Sequence, residues 1–200
     1  MGSGAESRPA KEPMRPLSVH VRMNRKLAII TAAAFAAIGS LSTTASAELP
    51  KGEKAPVFST KAAVAGKEFG FALNTALAKG PVVLYFYPKA FTQGCTLEAN
   101  AFAEAMPQFK AAGASVIGMS NDDIDTLKRF SREECRDAFP VGVASTQIIS
   151  AYDVAMGASG LASRTSYVIG RDRRIVMVHS NSDYRGHVEK TLAAVRALKK

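Results

Sequence analysis

Pro88, Thr92 and Cys95, spaced four and three apart in Tyr87-Pro88-Lys89-Ala90-Phe91-Thr92-Gln93-Gly94-Cys95-Thr96-Leu97-Glu98, are the residues of this chain whose types and order could do chemistry. A cysteine attacks only as its thiolate. The segment follows an unbroken apolar run and leads into a helical pattern, which places Cys95 in or near the first helical turn. There, unpaired backbone N–H groups and the positive end of the helix dipole stabilise an anion. Thr92 could cap that helix or hold its hydroxyl against the sulfur and a bound oxygen substrate. Pro88 stops the strand and contributes an apolar wall that limits water. Taken singly, a helical cysteine reads as a packing residue and the threonine as an N-cap. Strand, proline, threonine and cysteine together favour thiol chemistry.

The elements that must position these residues follow from hydrophobic periodicity. Pro81–Tyr87 is a run of β-branched and aromatic residues, expected as a central strand buried on both faces. From Cys95 to Ala112, Leu97, Phe102, Ala105, Met106 and Phe109 recur at helical spacing, with Pro107 expected to bend the helix. Ala114–Met119 is a second buried strand. Asp122, Asp123 and Asp125 open a helix that runs to about Arg136, and they read as caps rather than metal ligands. A short strand at 138–143, a small helix from Thr146 to Tyr152 and a hairpin of Thr165–Ile169 with Ile175–His179 follow. An amphipathic helix from Gly186 to Leu198 closes the chain, with Val188, Leu192, Val195 and Leu198 as its apolar stripe. Strands interleaved with helices from Glu48 onward predict one α/β domain.

Composition narrows the chemistry. With 47% apolar and 22% charged residues the chain is globular, and its two cysteines, Cys95 and Cys135, cannot build a disulfide framework or a four-cysteine zinc site. Three histidines (His20, His179, His187) without a local cluster argue against a transition metal, and His179 and His187 read as surface residues. Met23-Asn24-Arg25-Lys26, a charge-free run of 15 residues from Leu27 to Leu41, and small residues at Ala45 and Ala47 are expected to form a signal peptide over 23–47, too short for a membrane anchor. Residues 1–22 read as an upstream extension, and 48–200 as the mature domain. Without residues 1–47 the chain loses six of 26 basic and two of 17 acidic residues, leaving a net charge of +5 scattered over 153 residues. That argues against nucleic acid as partner. Export across an inner membrane, to the periplasm, is expected, with no membrane association after cleavage.

Pro-x-x-x-Thr-x-x-Cys resembles the active-site motif of the peroxiredoxins. The stretch from Phe86 to Glu98 is similar to the peroxiredoxin Q (bacterioferritin comigratory protein) branch of the alkyl hydroperoxide reductase/thiol-specific antioxidant family. The similarity runs from Gly52-Glu53-Lys54-Ala55-Pro56-Val57-Phe58 to the final helix. It includes Arg164-Thr165-Ser166-Tyr167-Val168-Ile169, similar to the family's Arg-Ser-Thr-Phe-x-Ile strand. The resemblance implies a thioredoxin-like fold with a central mixed β-sheet flanked by helices. It also implies a peroxidase in which Cys95 meets the peroxide, Arg164 completes the pocket with Pro88 and Thr92, and no bound cofactor is used. A thioredoxin-like or other thiol would be the reductant. Glu98 is a candidate for orienting Arg164, with an exposed helix carboxylate as the equal alternative.

Two departures matter. Many relatives carry a resolving cysteine five residues after the first, where this chain has Asn100, so resolution would pass to Cys135 or to an external thiol; the alternative for Cys135 is a buried or bystander thiol. Arg173 stands in the hairpin turn where relatives often have Gly. A monomer or weak homodimer is expected. The rival readings are a thioredoxin-like disulfide oxidoreductase, which usually needs Cys-x-x-Cys where this chain has Glu98, and a holdase in which Cys95 and Cys135 form a structural bridge.

Overall fold

Residues 48–198 are described in the computed structural model; the extension expected at 1–22 and the signal peptide expected at 23–47 lie outside the described residues. In chain order the elements are β1 (Ser59–Val64), β2 (Lys67–Ala72), α1 (Leu73–Lys79), β3 (Val82–Phe86), α2 (Gln93–Ala111), β4 (Ser115–Ser120), α3 (Ile124–Glu133), β5 (Val141–Val143), α4 (Thr146–Ala151), β6 (Thr165–Ile169), β7 (Ile175–Ser180) and α5 (His187–Ala197). Seven strands make one mixed sheet in the order β2-β1-β5-β4-β3-β6-β7. β3, β4 and β5 are parallel, and β6 returns antiparallel along the other side of β3.

Every residue of β3 is buried because helices cover both faces of the sheet. Alternation along the strand sends Val83 and Tyr85 into a core with Phe102 and Phe109 of α2, Phe130 of α3 and Val195 of α5. Val82, Leu84 and Phe86 point into a second core with Leu73 and Leu77 of α1 and Ile148 of α4. Full burial of each such side chain contributes about 1.5–3 kcal/mol, which makes the centre of the sheet a rigid base.

Several expectations are sharpened. The β1–β2 hairpin, with its two-residue turn at Ala65 and Gly66, both at positive φ (50° and 74°), and α1 were not anticipated. α2 continues through Pro107 to Ala111. α3 stops at Glu133, short of Arg136, so Cys135 lies in the turn beyond the helix. In that turn Arg136 (φ 51°) and Asp137 (φ 58°) are consecutive left-handed residues that are not glycine. Arg173 also has a positive φ of 70°, the conformation for which glycine is the usual choice. No helix among the described residues is long and apolar enough to cross a membrane.

Candidate active site

Cys95 is the third residue of α2, in its first turn, and is buried. Thr92 is the N-cap, with extended φ and ψ, and its carbonyl accepts the first helical hydrogen bond, from Thr96 N at 2.9 Å. Its hydroxyl does not cap the helix but donates to Lys89 O at 2.9 Å, and the residue is exposed. Pro88 is half-buried directly behind β3.

Arg164 comes from 69 positions away because the register pairs Phe86 with Thr165. The residue just before β6 is thereby level with the loop just after β3. Its guanidinium is fixed by three contacts: Nη2 lies 3.4 Å from Cys95 Sγ, Nε donates to Ser182 O at 3.0 Å, and Nη1 donates to Glu98 Oε2. Burial works against the charge of Arg164, but Glu98 and Cys95 outweigh it and hold the guanidinium above its ordinary pKa. Gly94 makes room for this approach, since a Cβ there would meet Nη2 at 3.2 Å.

Glu98 is a buried carboxyl, not an exposed one. Burial pushes its pKa up to about 8 against the opposing pull of Arg164, and its Oε1 has no hydrogen-bond partner. Behind it stands His187, which corrects the reading of that residue as a surface histidine. The ring is fully buried: Nδ1 lies 2.8 Å from Ser166 Oγ and 3.7 Å from Glu98 Oε1, and Nε2 lies 3.1 Å from Asn181 O. Burial pushes its pKa down to about 4. His179 is half-buried, its ring centroid 4.5 Å from that of His187. The available signal was Ser166, a polar residue inside a strand expected to be buried, which therefore needed a partner.

Of the three aspartates, Asp123 is the cap of α3, accepting from Thr126 N at 2.8 Å, and Asp125 in the first turn pairs with Lys128. Asp122 is not a cap. It is buried and accepts from Ala90 N at 2.8 Å and Ser120 Oγ at 2.9 Å, with Lys89 Nζ at 3.0 Å, so it ties down the loop that carries Pro88 and Thr92.

Both cysteines are free, buried thiols within one apolar core. They differ in electrostatics. Cys95 faces a guanidinium, whereas burial, then the carboxylates of Glu134 and Asp137, push the Cys135 thiol well above its ordinary pKa. Asn100 donates to Thr96 O at 2.8 Å and to Glu134 Oε2 at 3.1 Å, and Arg136 pairs with Glu104 at 3.2 Å, so the Cys135 turn is strapped to α2 on both sides. Among the described residues no group of three or more His, Cys, Asp or Glu is placed to hold a metal ion.

Residues 51–178 match the AhpC/TSA family. The chain belongs to that family. It is 33% identical over 131 residues to a putative peroxiredoxin of Mycobacterium tuberculosis, covering 64% of this chain and 85% of the relative. It is 31% identical over 162 residues to the chloroplastic peroxiredoxin Q of Populus jackii, covering 80% of this chain and 74% of that one. Among solved structures, peroxidoxin BcpB of M. tuberculosis superposes with a TM-score of 0.69 at 31% identity, over 76% of this chain and 99% of that protein. A Cys-to-Ser mutant of Xylella fastidiosa PrxQ does so with a TM-score of 0.66 at 26% identity, over 76% and 98%. The fold is thus the thioredoxin-like fold of the peroxiredoxins. As a member of the AhpC/TSA family the chain is a thiol-dependent peroxidase, with a peroxide as substrate and a thiol as reductant.

Proposed function

We propose that Cys95 is the peroxidatic residue and Cys135 the resolving one. The observation that carries this reading is the guanidinium of Arg164, 3.4 Å from a sulfur at a helix N-terminus. The Cys95 thiolate attacks one peroxide oxygen. An S–O bond forms, the O–O bond breaks, and hydroxide or alkoxide departs to take up a proton as water or alcohol. Negative charge develops on the departing oxygen, where Arg164 and the free N–H groups of the first α2 turn stabilise it. Thr92 offers its oxygen to the peroxide O–H, Pro88 walls off water, and Glu98 holds Arg164 in place. Cys95 is left as a sulfenic acid, which condenses with the Cys135 thiol to a disulfide and water. Cys135 is buried and strapped to α2, so this second step requires its turn to open, and an external thiol then reduces the disulfide.

The sequence of residues 23–47 supports export with cleavage after Ala47 and a periplasmic enzyme, acting as a monomer or weak homodimer on hydrogen peroxide or small organic hydroperoxides. Cys95→Ser is expected to abolish peroxide consumption and dimedone labelling. Cys135→Ser keeps a single turnover, trapped by dimedone, and forms no intramolecular disulfide. Peroxidase activity persisting in Cys95→Ser would overturn the assignment. N-terminal sequencing of protein from the periplasmic fraction is expected to start at Glu48; recovery of uncleaved chain from the cytoplasm alone refutes export.

A further inference from the structure

We propose that His187 is a positioning residue of the peroxide reaction: together with Glu98 it holds one proton behind Arg164, so that the Cys95 sulfur and the guanidinium remain a balanced pair of charges. The inference rests on the assignment of Cys95 as the peroxidatic residue.

The hydrogen-bond geometry fixes the tautomer. Asn181 O can only accept, so His187 Nε2 carries the ring hydrogen and Nδ1 presents a lone pair. Ser166 donates to that lone pair at 2.8 Å, and Glu98 Oε1, buried and without a hydrogen-bond partner, lies 3.7 Å from it. A buried carboxylate oxygen with no donor is unfavourable. A proton on Oε1 lessens the problem: a neutral acid oxygen needs no donor, and its O–H faces the Nδ1 edge of the ring, whose one lone pair Ser166 engages, while Oε2 goes on accepting from Arg164 Nη1. Moving the same proton to Nδ1 leaves the charge of the pair unchanged, because an imidazolium and a carboxylate also sum to zero. With one proton on the pair, the buried set of Cys95 thiolate, Arg164, Glu98 and His187 is neutral. Without it, two negative charges face one guanidinium, which then offers less positive potential to the charge developing on the departing peroxide oxygen.

The surrounding groups favour the carboxyl as the proton's site. Glu98 faces Arg164, His187, Cys95 on its own helix and the buried Tyr85 of β3. His187 faces the His179 ring from β7, Arg164, Lys190 on its own helix, and Asp183, which is paired with Arg185. Burial, with the nearby charges of Arg164 and Lys190, opposes an imidazolium, whereas burial favours a neutral carboxyl. With Glu98 raised to about 8 and His187 lowered to about 4, the proton is present at neutral pH and leaves as the pH rises through about 8.

The test follows the carboxyl carbon of Glu98 and the ring nitrogens of His187 by NMR from acid to alkaline pH. It runs beside the second-order rate with hydrogen peroxide and the rate of Cys95 alkylation by iodoacetamide. A step near pH 8 in both residues, matched by a fall in the peroxide rate, is expected, with a further step of the His187 nitrogens near pH 4; alkylation, which follows a thiolate population that only grows as protons leave, does not fall. Glu98→Gln keeps an acceptor for Arg164 and turns a permanent N–H toward Nδ1, so the alkaline fall should vanish. His187→Leu removes the acceptor for the acid proton and should move the fall down by about one pH unit, a tenfold change in proton affinity, but do nothing further in the Glu98→Gln background. Ser166→Ala frees Nδ1 for Glu98 and should move the fall upward. The proposal is overturned by an alkaline fall that survives Glu98→Gln, by His187→Leu slowing the reaction equally at every pH, or by a Glu98 carbon that does not titrate in the wild type, a result that needs no variant to fold. Absence of peroxide turnover with Glu98 and His187 still titrating together near pH 8 would sink the peroxidase assignment and leave the proton pair standing.

Discussion

Gly94→Ala should make the protein more stable and less active. Gly94 is the second residue of α2, and alanine there gains helix propensity of up to about 1 kcal/mol. Its new Cβ would lie 3.2 Å from Arg164 Nη2, the atom that stands 3.4 Å from Cys95 Sγ, so the guanidinium must yield by a few tenths of an ångström. Taking a retreat of about 0.4 Å and an effective dielectric constant of about 20, the attraction between guanidinium and thiolate weakens by roughly 0.5 kcal/mol. That corresponds to about a twofold loss in the rate of sulfenic acid formation. The assay is stopped-flow reduction of hydrogen peroxide under single-turnover conditions, paired with a thermal melt. Gly94→Val, with more bulk at the same point, should lose more. In an Arg164→Ala background the Gly94 substitution should have no further effect on rate. A Gly94→Ala enzyme as fast as the parent, or equally slowed without Arg164, refutes the claim that Gly94 acts by clearing space for the guanidinium.

Asp122→Ala leaves the buried Ala90 N–H without an acceptor, a loss of roughly 2 kcal/mol that should lower Tm by about 4–8 °C, with slower peroxide reduction as the 88–92 loop loosens. An unchanged calorimetric Tm would show that the loop is held by something else. Asn100→Ala removes one strap from the Cys135 turn and should speed disulfide formation about two- to fivefold after a peroxide pulse, as for a contact of about 0.5–1 kcal/mol, without altering the preceding step. Quenched-flow thiol trapping reads this directly, and an unchanged rate would mean that opening occurs elsewhere.

A feature of this fold is legible in the sequence to the extent that its cause is local. β3 is a continuous apolar run because both sheet faces are covered, β4 and β6 carry shorter ones at 116–119 and 167–169, and that pattern needs no knowledge of neighbours. Cys95 in the first turn of α2 likewise follows from a strand, a proline and a helical repeat in one stretch of chain. Arg164 required the family resemblance, since only the pairing of β3 with β6 brings it to the sulfur. Glu98 was balanced between two readings, and its burial against Arg164 decides between them. Asp122 looked like its neighbours Asp123 and Asp125, and what separates it is an N–H 32 positions earlier. His187 was misread for the same reason: its partners lie on α2, on β6 and in the loop after β7, and nothing adjacent in the chain announces them. The β1–β2 hairpin hides because β2 is largely exposed and lacks the alternation that marks a half-buried strand.

The two consecutive left-handed residues after Cys135 give that corner the character of a cocked spring. L-residues in this conformation are strained by roughly 1–2 kcal/mol each, and here the strain is held in check by the straps to α2. On the proposed mechanism, opening the corner for disulfide formation releases that strain, so the folded reduced enzyme carries part of the driving force for its own rearrangement. Relaxing the corner with glycine at Arg136 or Asp137 would then yield a sturdier protein and a slower catalyst, which places thermal robustness and turnover in opposition at a single bend of the chain.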